Sequence, residues 1–185
     1  NVLGVKCWPN QETFWPYEDK IKEYYLLKSH DFPIIDSRVF WNYDHADSFL
    51  KNTQFPWVVK LPKGAGSSNV VIIKTIKDGK KIIKQVFNKG VKPHKLDSSS
   101  RLSSFSKLGF AKYSKAVLKS VLLNTRLLKN KIDYPEWQIQ KDGILFQKFL
   151  PGNAFDTRVT IIGNRGFAYR RFVRPNDFRA SGSGN

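Results

Sequence analysis

The sequence predicts an α+β fold built on antiparallel hairpins. Two observations carry this. Apolar, β-branched runs at Trp57–Leu61, Val70–Ile76 and Lys81–Phe87 follow one another across short glycine-containing connections. The C-terminal part repeats the pattern: Ile144–Leu150, Phe155–Ile162 and Phe167–Val173 are separated by Pro151-Gly152-Asn153 and Gly163-Asn164-Arg165-Gly166.

In chain order, residues 1–17 are aromatic and proline-rich without periodicity and read as irregular. Glu18–Ser29 reads as a helix, with Glu18 and Asp19 favourably placed near its N-terminus and Ile21, Tyr24, Tyr25 and Lys28 at helical spacing. Phe32-Pro33 ends it, and Ile34–Phe40 follows as a strand. Asp44 is suited to cap a second short helix that buries Ala46, Phe49 and Leu50.

Residues 55–88 then read as a three-stranded meander. Its second turn is Lys77-Asp78-Gly79-Lys80, because Asp-Gly between apolar runs signals a hairpin. Its first connection is Gly64-Ala65-Gly66-Ser67-Ser68, a flap rather than the strand-loop-helix cradle of a P-loop. Gly90–Ser106 is polar and serine-rich, a surface loop. Lys107–Lys131 has helical periodicity, with Leu108, Ala111, Leu118, Leu122 and Leu128 on an apolar side and lysines mostly outside it. On the second hairpin, Asp156, Arg158 and Thr160 share one strand face, and Ala168, Arg170 and Phe172 share another.

Composition narrows the function classes. The chain has 185 residues, enough for one sizeable core or two small lobes, and with 41% hydrophobic and 25% charged residues it is globular rather than disordered. No apolar run approaches the ~20 residues of a membrane span, and no signal-peptide core opens the chain. The single Cys7 excludes an internal disulfide framework and fits a reducing, cytoplasmic compartment. The absence of methionine and the ending Ser181-Gly182-Ser183-Gly184-Asn185 are expected of a fragment of a longer protein.

A formal net charge of +17 makes anions plausible partners, whether nucleic acid, a phosphate ligand or an acidic membrane surface. His30, His45 and His94 are scattered, without metal-ligand spacing, and no G-x-S-x-G elbow occurs. Val71-Ile72-Ile73-Lys74 echoes a kinase strand lysine, but no H-R-D or D-F-G follows. In the glycine loop, Gly64 and Gly66 let backbone N–H groups converge on an anion, Ser67 and Ser68 add hydroxyl donors, and Lys60 and Lys63 add charge. Arg158, Arg170 and Arg179, on or just after antiparallel strands, are suited to clamp phosphates.

Four places in order resemble the ATP-grasp superfamily. Asp19-Lys20 looks like the start of the helix carrying the family's first nucleotide lysine. Phe55-Pro56-Trp57-Val58-Val59-Lys60 with Gly64–Ser68 is similar to its second lysine strand and flap. Gln147-Lys148-Phe149-Leu150-Pro151-Gly152 resembles the hinge strand whose backbone meets adenine. Phe155-Asp156-Thr157-Arg158 through Arg170 to Asp177-Phe178-Arg179-Ala180-Ser181 resembles its D-x-R strand, arginine strand and following loop.

The resemblance implies an ATP-grasp fold of two lobes with the nucleotide between them: residues 18–143 as the N-terminal lobe, with a helical insert at 90–131, and 144–185 as the hinge and the start of a truncated C-terminal lobe. It implies ATP and magnesium as cofactors and a ligase that activates a carboxylate-bearing acceptor as an acylphosphate for attack by an amine or thiol. Lys20 and Lys60 would contact α- and β-phosphates under the Gly64, Gly66, Ser67 and Ser68 flap. Gln147, Lys148, Phe149 and Leu150 would meet adenine, and Asp156 the ribose. Arg170 would face the γ-phosphate, with Arg158 and Arg179 near the transferred group. The family's magnesium ligands lie downstream of such a loop and are unassigned here. Gln147 stands where many relatives carry glutamate. The rival reading is a basic, non-catalytic protein that binds nucleic acid or another polyanion, which the net charge alone would explain.

Overall fold

The computed structural model describes residues 4–6, 8–64, 69–92, 96, 135–174 and 177–180. Among the described residues, six strands fall into two antiparallel sheets. β1 (Ser37–Phe40), β2 (Trp57–Lys60), β3 (Val70–Ile73) and β4 (Ile144–Lys148) form one sheet in the order β1-β4-β2-β3. β5 (Phe155–Ile162) and β6 (Arg165–Phe172) form a hairpin of their own. β4, grouped by the sequence reading with the C-terminal residues, therefore pairs inside the first sheet, between β1 and β2.

Alternation along the strands gives the four-stranded sheet two different faces. On one, Trp57, Val59, Val71, Ile73, Ile144 and Phe146 are buried. They pack with Ala46 and Leu50 of α3 (Tyr43–Asn52) and Ile83 of α4 (Ile76–Lys84) in a single core. Phe49 sits edge-on to both Trp57 and Phe146, with ring centroids 5.0 and 5.7 Å apart. The other face presents Val58, Lys60 and Gln147, and it is this face that turns toward the second hairpin.

The expected third strand of the meander is α4 instead. Thr75 caps it by accepting from the Asp78 amide at 3.2 Å, and Gly79, Ile83 and Val86 are its buried side. That i, i+4, i+7 spacing satisfies a helix facing α3, and it outweighs the local hairpin signal of Asp78-Gly79. Gly79 lies inside the helix because nothing larger fits: a Cβ there would stand 2.6 Å from Leu50 Cδ2. A π-turn over Gln85–Lys89 ends the segment.

Other boundaries shift less. α1 (Gln11–Phe14) is one turn within the stretch expected to be irregular. α2 runs Lys20–Ser29 with Asp19 as its cap, accepting from the amides of Ile21 and Lys22 at 3.0 and 3.1 Å. α3 is capped by Asn42, not Asp44, which lies in its first turn. The second hairpin turns on Gly163-Asn164 alone, since Ile162 pairs with Arg165. The expected helix Lys107–Lys131 and most of the expected loop Gly90–Ser106 lie outside the described residues. Among the described residues, no helix is long and apolar enough to cross a membrane.

Candidate functional site

The face of the four-stranded sheet that carries Lys60 and Gln147 forms one wall of a cleft of about 790 Å³, and the β5–β6 hairpin with residues 178–180 forms the other. That volume lies in the usual range of small-molecule sites. Lys20, Lys60, Gly64, Gln147, Lys148, Phe149, Leu150, Asp156, Arg158 and Arg179 all line it. A larger depression of about 1070 Å³ near Trp8 and Trp15 has mainly apolar walls and no comparable convergence of charge.

Lys20 reaches the cleft because two backbone contacts fix the start of α2. Its amide donates to Pro62 O at 3.0 Å, and Asp19 bridges to Lys63. The ammonium then donates to Gly64 O at 2.7 Å, tying the helix to the glycine loop. Gly64 has φ of 138°, a conformation that L side chains rarely adopt. Gly66, Ser67 and Ser68 lie outside the described residues.

Lys60 ends β2 and donates to Gln147 Oε1 at 2.6 Å. Burial lowers the pKa of both lysines. For Lys60 the nearby charge of Lys20 lowers it further, while Glu23 opposes the shift in both. Two ammonium groups held this way, one acting on the other through a partly desolvated space, are poised for an anion.

Lys148 belongs to the site through its backbone. Its side chain points to the opposite face, donating to Gln54 O at 3.2 Å and lying 5.1 Å over the Trp57 ring. Phe149 meets Phe178 edge-on at 6.0 Å, an apolar contact between the two walls. Arg179 is held by Asp177, Nε to Oδ1 at 2.9 Å and Nη2 to Oδ2 at 2.7 Å. Burial alone would raise the Asp177 pKa, but hydrogen bonds from the Arg179 side chain and backbone outweigh it and lower the value.

The hairpin sets two of the expected arginines, Arg158 and Arg170, on opposite faces. Asp156 pairs across the strands with Arg171, and Arg158 with Tyr169, so these four share the cleft face. Arg170 pairs with Thr157 on the opposite face and stacks 4.4 Å from the Phe155 ring centroid. The cleft arginine on β6 is Arg171, forked onto Asp156 at 2.7 and 2.8 Å. Its own pKa is raised, first by that hydrogen bond. The missed signal was loop length. A hairpin loop with an even number of residues pairs even-numbered with odd-numbered positions, which puts Arg171, not Arg170, beside Asp156 and Arg158.

Among the described residues no group of three His, Cys, Asp or Glu side chains could hold a metal ion, and Asp156 is engaged by Arg171.

No family model and no curated protein matches the chain. Among solved structures, the chain is similar to a D-alanine–D-alanine ligase from Helicobacter pylori at 14% identity and a TM-score of 0.42. The match covers 89% of this chain and 36% of the ligase, so the chain spans about a third of that protein's length.

Proposed function

We propose that the cleft binds ATP, with the triphosphate at the Lys20–Lys60 end and the base against Phe149 and Leu150. One observation carries this reading: two partly buried lysines from different elements, Lys20 and Lys60, line the same cleft as the aromatic pair Phe149 and Phe178. Basic groups suit the phosphates and exposed backbone with an apolar ring suits a purine. Arg158 and Arg171 take the γ-phosphate side, Arg171 replacing Arg170 in that role. Asp156, held in place by Arg171, retains acceptor capacity for a ribose hydroxyl.

For the protein to which this cleft belongs we propose an ATP-dependent ligase. A carboxylate oxygen of the acceptor attacks the γ-phosphorus and ADP leaves. An amine or thiol then attacks the acyl carbon and expels phosphate. The described residues contribute by positioning and by neutralising phosphoryl charge, which are the main resources of phosphoryl-transfer sites.

The net charge of +17 favours one competing reading, a general polyanion binder. Calorimetric titration with ATP at moderate and high salt, on wild type and Lys60→Ala, separates the two. The ATP reading expects saturable binding that persists in salt and weakens about tenfold or more in the variant. Binding that collapses with salt, is matched by unrelated polyanions and ignores Lys60→Ala would replace it with the polyanion reading.

A further inference from the structure

Lys60 does not stand alone on its strand. Its ammonium donates to Gln147 Oε1 at 2.6 Å, Gln147 Nε2 donates to Ser37 Oγ at 3.2 Å, and Ser37 Oγ donates to Ile35 O at 2.7 Å. Three strands supply this relay. Ser37 of β1 is directly opposite Gln147 of β4, while Lys60 of β2 is its diagonal neighbour.

The direction of every bond is fixed from both ends. A lysine ammonium can only donate, so the Gln147 atom facing it must be the oxygen. A backbone carbonyl can only accept, so the single hydroxyl proton of Ser37 goes to Ile35. The Ser37 oxygen is then left to accept, and it faces the amide nitrogen. The two requirements agree on one orientation of the Gln147 amide. Ser37 is buried, with 3% of its surface exposed, so its polar atoms have little recourse to water.

Glutamate would not serve in this position. It has no proton for the Ser37 oxygen, so Ser37 would have to turn and abandon Ile35 O. Its charge would also neutralise Lys60. Among the described residues, the charged groups acting on Lys60 are Lys20 and Glu23, both from α2, while Arg158, Arg171 and Arg179 line the far wall. A neutral amide thus orients the ammonium and leaves its charge unspent.

We propose that Gln147, backed by Ser37, is a positioning residue that aims Lys60 into the cleft without neutralising it, reserving the lysine's charge for the bound anion. The anion being ATP rests on the function proposed above.

The test uses the full chain with reductively 13C-methylated lysines, the Lys60 signal being assigned from a Lys60→Arg variant. Its titration is followed in wild type, Gln147→Glu and Gln147→Leu, alongside ATP affinity and thermal midpoint. In Gln147→Glu, Lys60 should titrate at higher pH than in wild type, and ATP should bind about tenfold more weakly or worse. In Gln147→Leu, Lys60 should titrate at lower pH, since a hydrogen bond to its charged form is lost. Should Gln147→Leu fail to fold, the isosteric Gln147→Glu carries the test alone. A merely structural glutamine would lower thermal midpoints and leave the Lys60 titration where it was, which overturns the proposal. So would unchanged ATP affinity in Gln147→Glu beside a wild type that binds. If Lys60 shifts as stated but wild type binds no ATP, the positioning role is supported and the nucleotide reading falls.

Discussion

The two sheets are both antiparallel and could hardly differ more in what holds them. The four-stranded sheet has short strands, yet α3 and α4 seal one of its faces and leave Val59, Ile73, Ile144 and Phe146 with no exposed surface. The β5–β6 hairpin pairs eight residues with eight and remains largely exposed, Val159, Ile161 and Phe167 among them. The Val173 amide closes its base by donating to Ala154 O at 3.0 Å, and beyond the base Phe149 meets Phe178. Pairing length is therefore no measure of stability; buried apolar area is. The cleft draws Lys60 from the sealed sheet, Lys20 from α2, and Arg158 and Arg171 from the open hairpin.

The largest contrast should come from phenylalanine truncation. Phe146→Ala in the sealed sheet is expected to cost about 3–5 kcal/mol of unfolding free energy, enough to threaten folding. Phe167→Ala in the hairpin should stay within about 1 kcal/mol, because half its surface is already in water. Denaturant titration of both variants checks this, and equal losses would break the comparison.

A smaller effect is expected where α4 meets α3. Gly79→Ala gains helix propensity but drives a Cβ to 2.6 Å from the buried Leu50 side chain. Overpacking should win by about 1–2 kcal/mol in the same titration. A stabilised variant would mean that Leu50 can move aside.

The lysine pair sharpens the comparison through pH. Both Lys20 and Lys60 titrate below the ordinary 10.5, with burial the largest cause. Between the folded value and 10.5, the folded protein binds fewer protons at these sites than the unfolded chain does. Their contribution to stability therefore rises with pH across that window. ATP affinity should fall across it, because the ammonium charges are lost. Denaturation midpoints and calorimetry from neutral pH upward should show these opposite trends, and Lys60→Met should flatten the stability trend. Stability and affinity falling together in wild type would contradict the lysine assignment.

The smallest change is expected on the hairpin. Arg171→Ala removes a forked pair whose Asp156 side chain is 45% exposed, so it should alter stability by at most about 1 kcal/mol. It should nevertheless weaken ATP binding, whereas Arg170→Ala should leave binding unchanged. Equal binding losses in the two variants would deny the hairpin a cleft face.

Sequence patterns revealed these regions unevenly. The β5–β6 hairpin, β2 and α2 were legible because turn residues, β-branched runs and an acidic helix start act locally. Lys81–Phe87 reads as a strand because its apolar residues suit one and Asp78-Gly79 suits a turn. The decisive fact, a glycine-sized gap against Leu50, is tertiary. In the cleft, Lys60 could be named from the glycine loop beside it, whereas Lys20 and Gln147 are reached only through the family resemblance. Ser37 could not, because it joins them only through the β1–β4 pairing of residues 110 positions apart. Arg171 was legible in principle, since strand parity places it, but alternation on each strand had to be combined with the loop between them.

The central position of β4 has a consequence for how the molecule breathes. Its backbone is shared between β1 on one side and β2 on the other, so its amides can reach solvent deuterons only when the sheet opens as a unit. Lys148 remains anchored by its amide to Asp36 O at 2.8 Å, immediately before Phe149 and Leu150 enter the cleft. The floor of the cleft is thus fastened to an interior strand, whose amides should exchange slowly, while those of the largely exposed facing hairpin should exchange faster. A captured ligand would register as slowed isotope exchange along β5 and β6 and leave the β4 signal almost untouched.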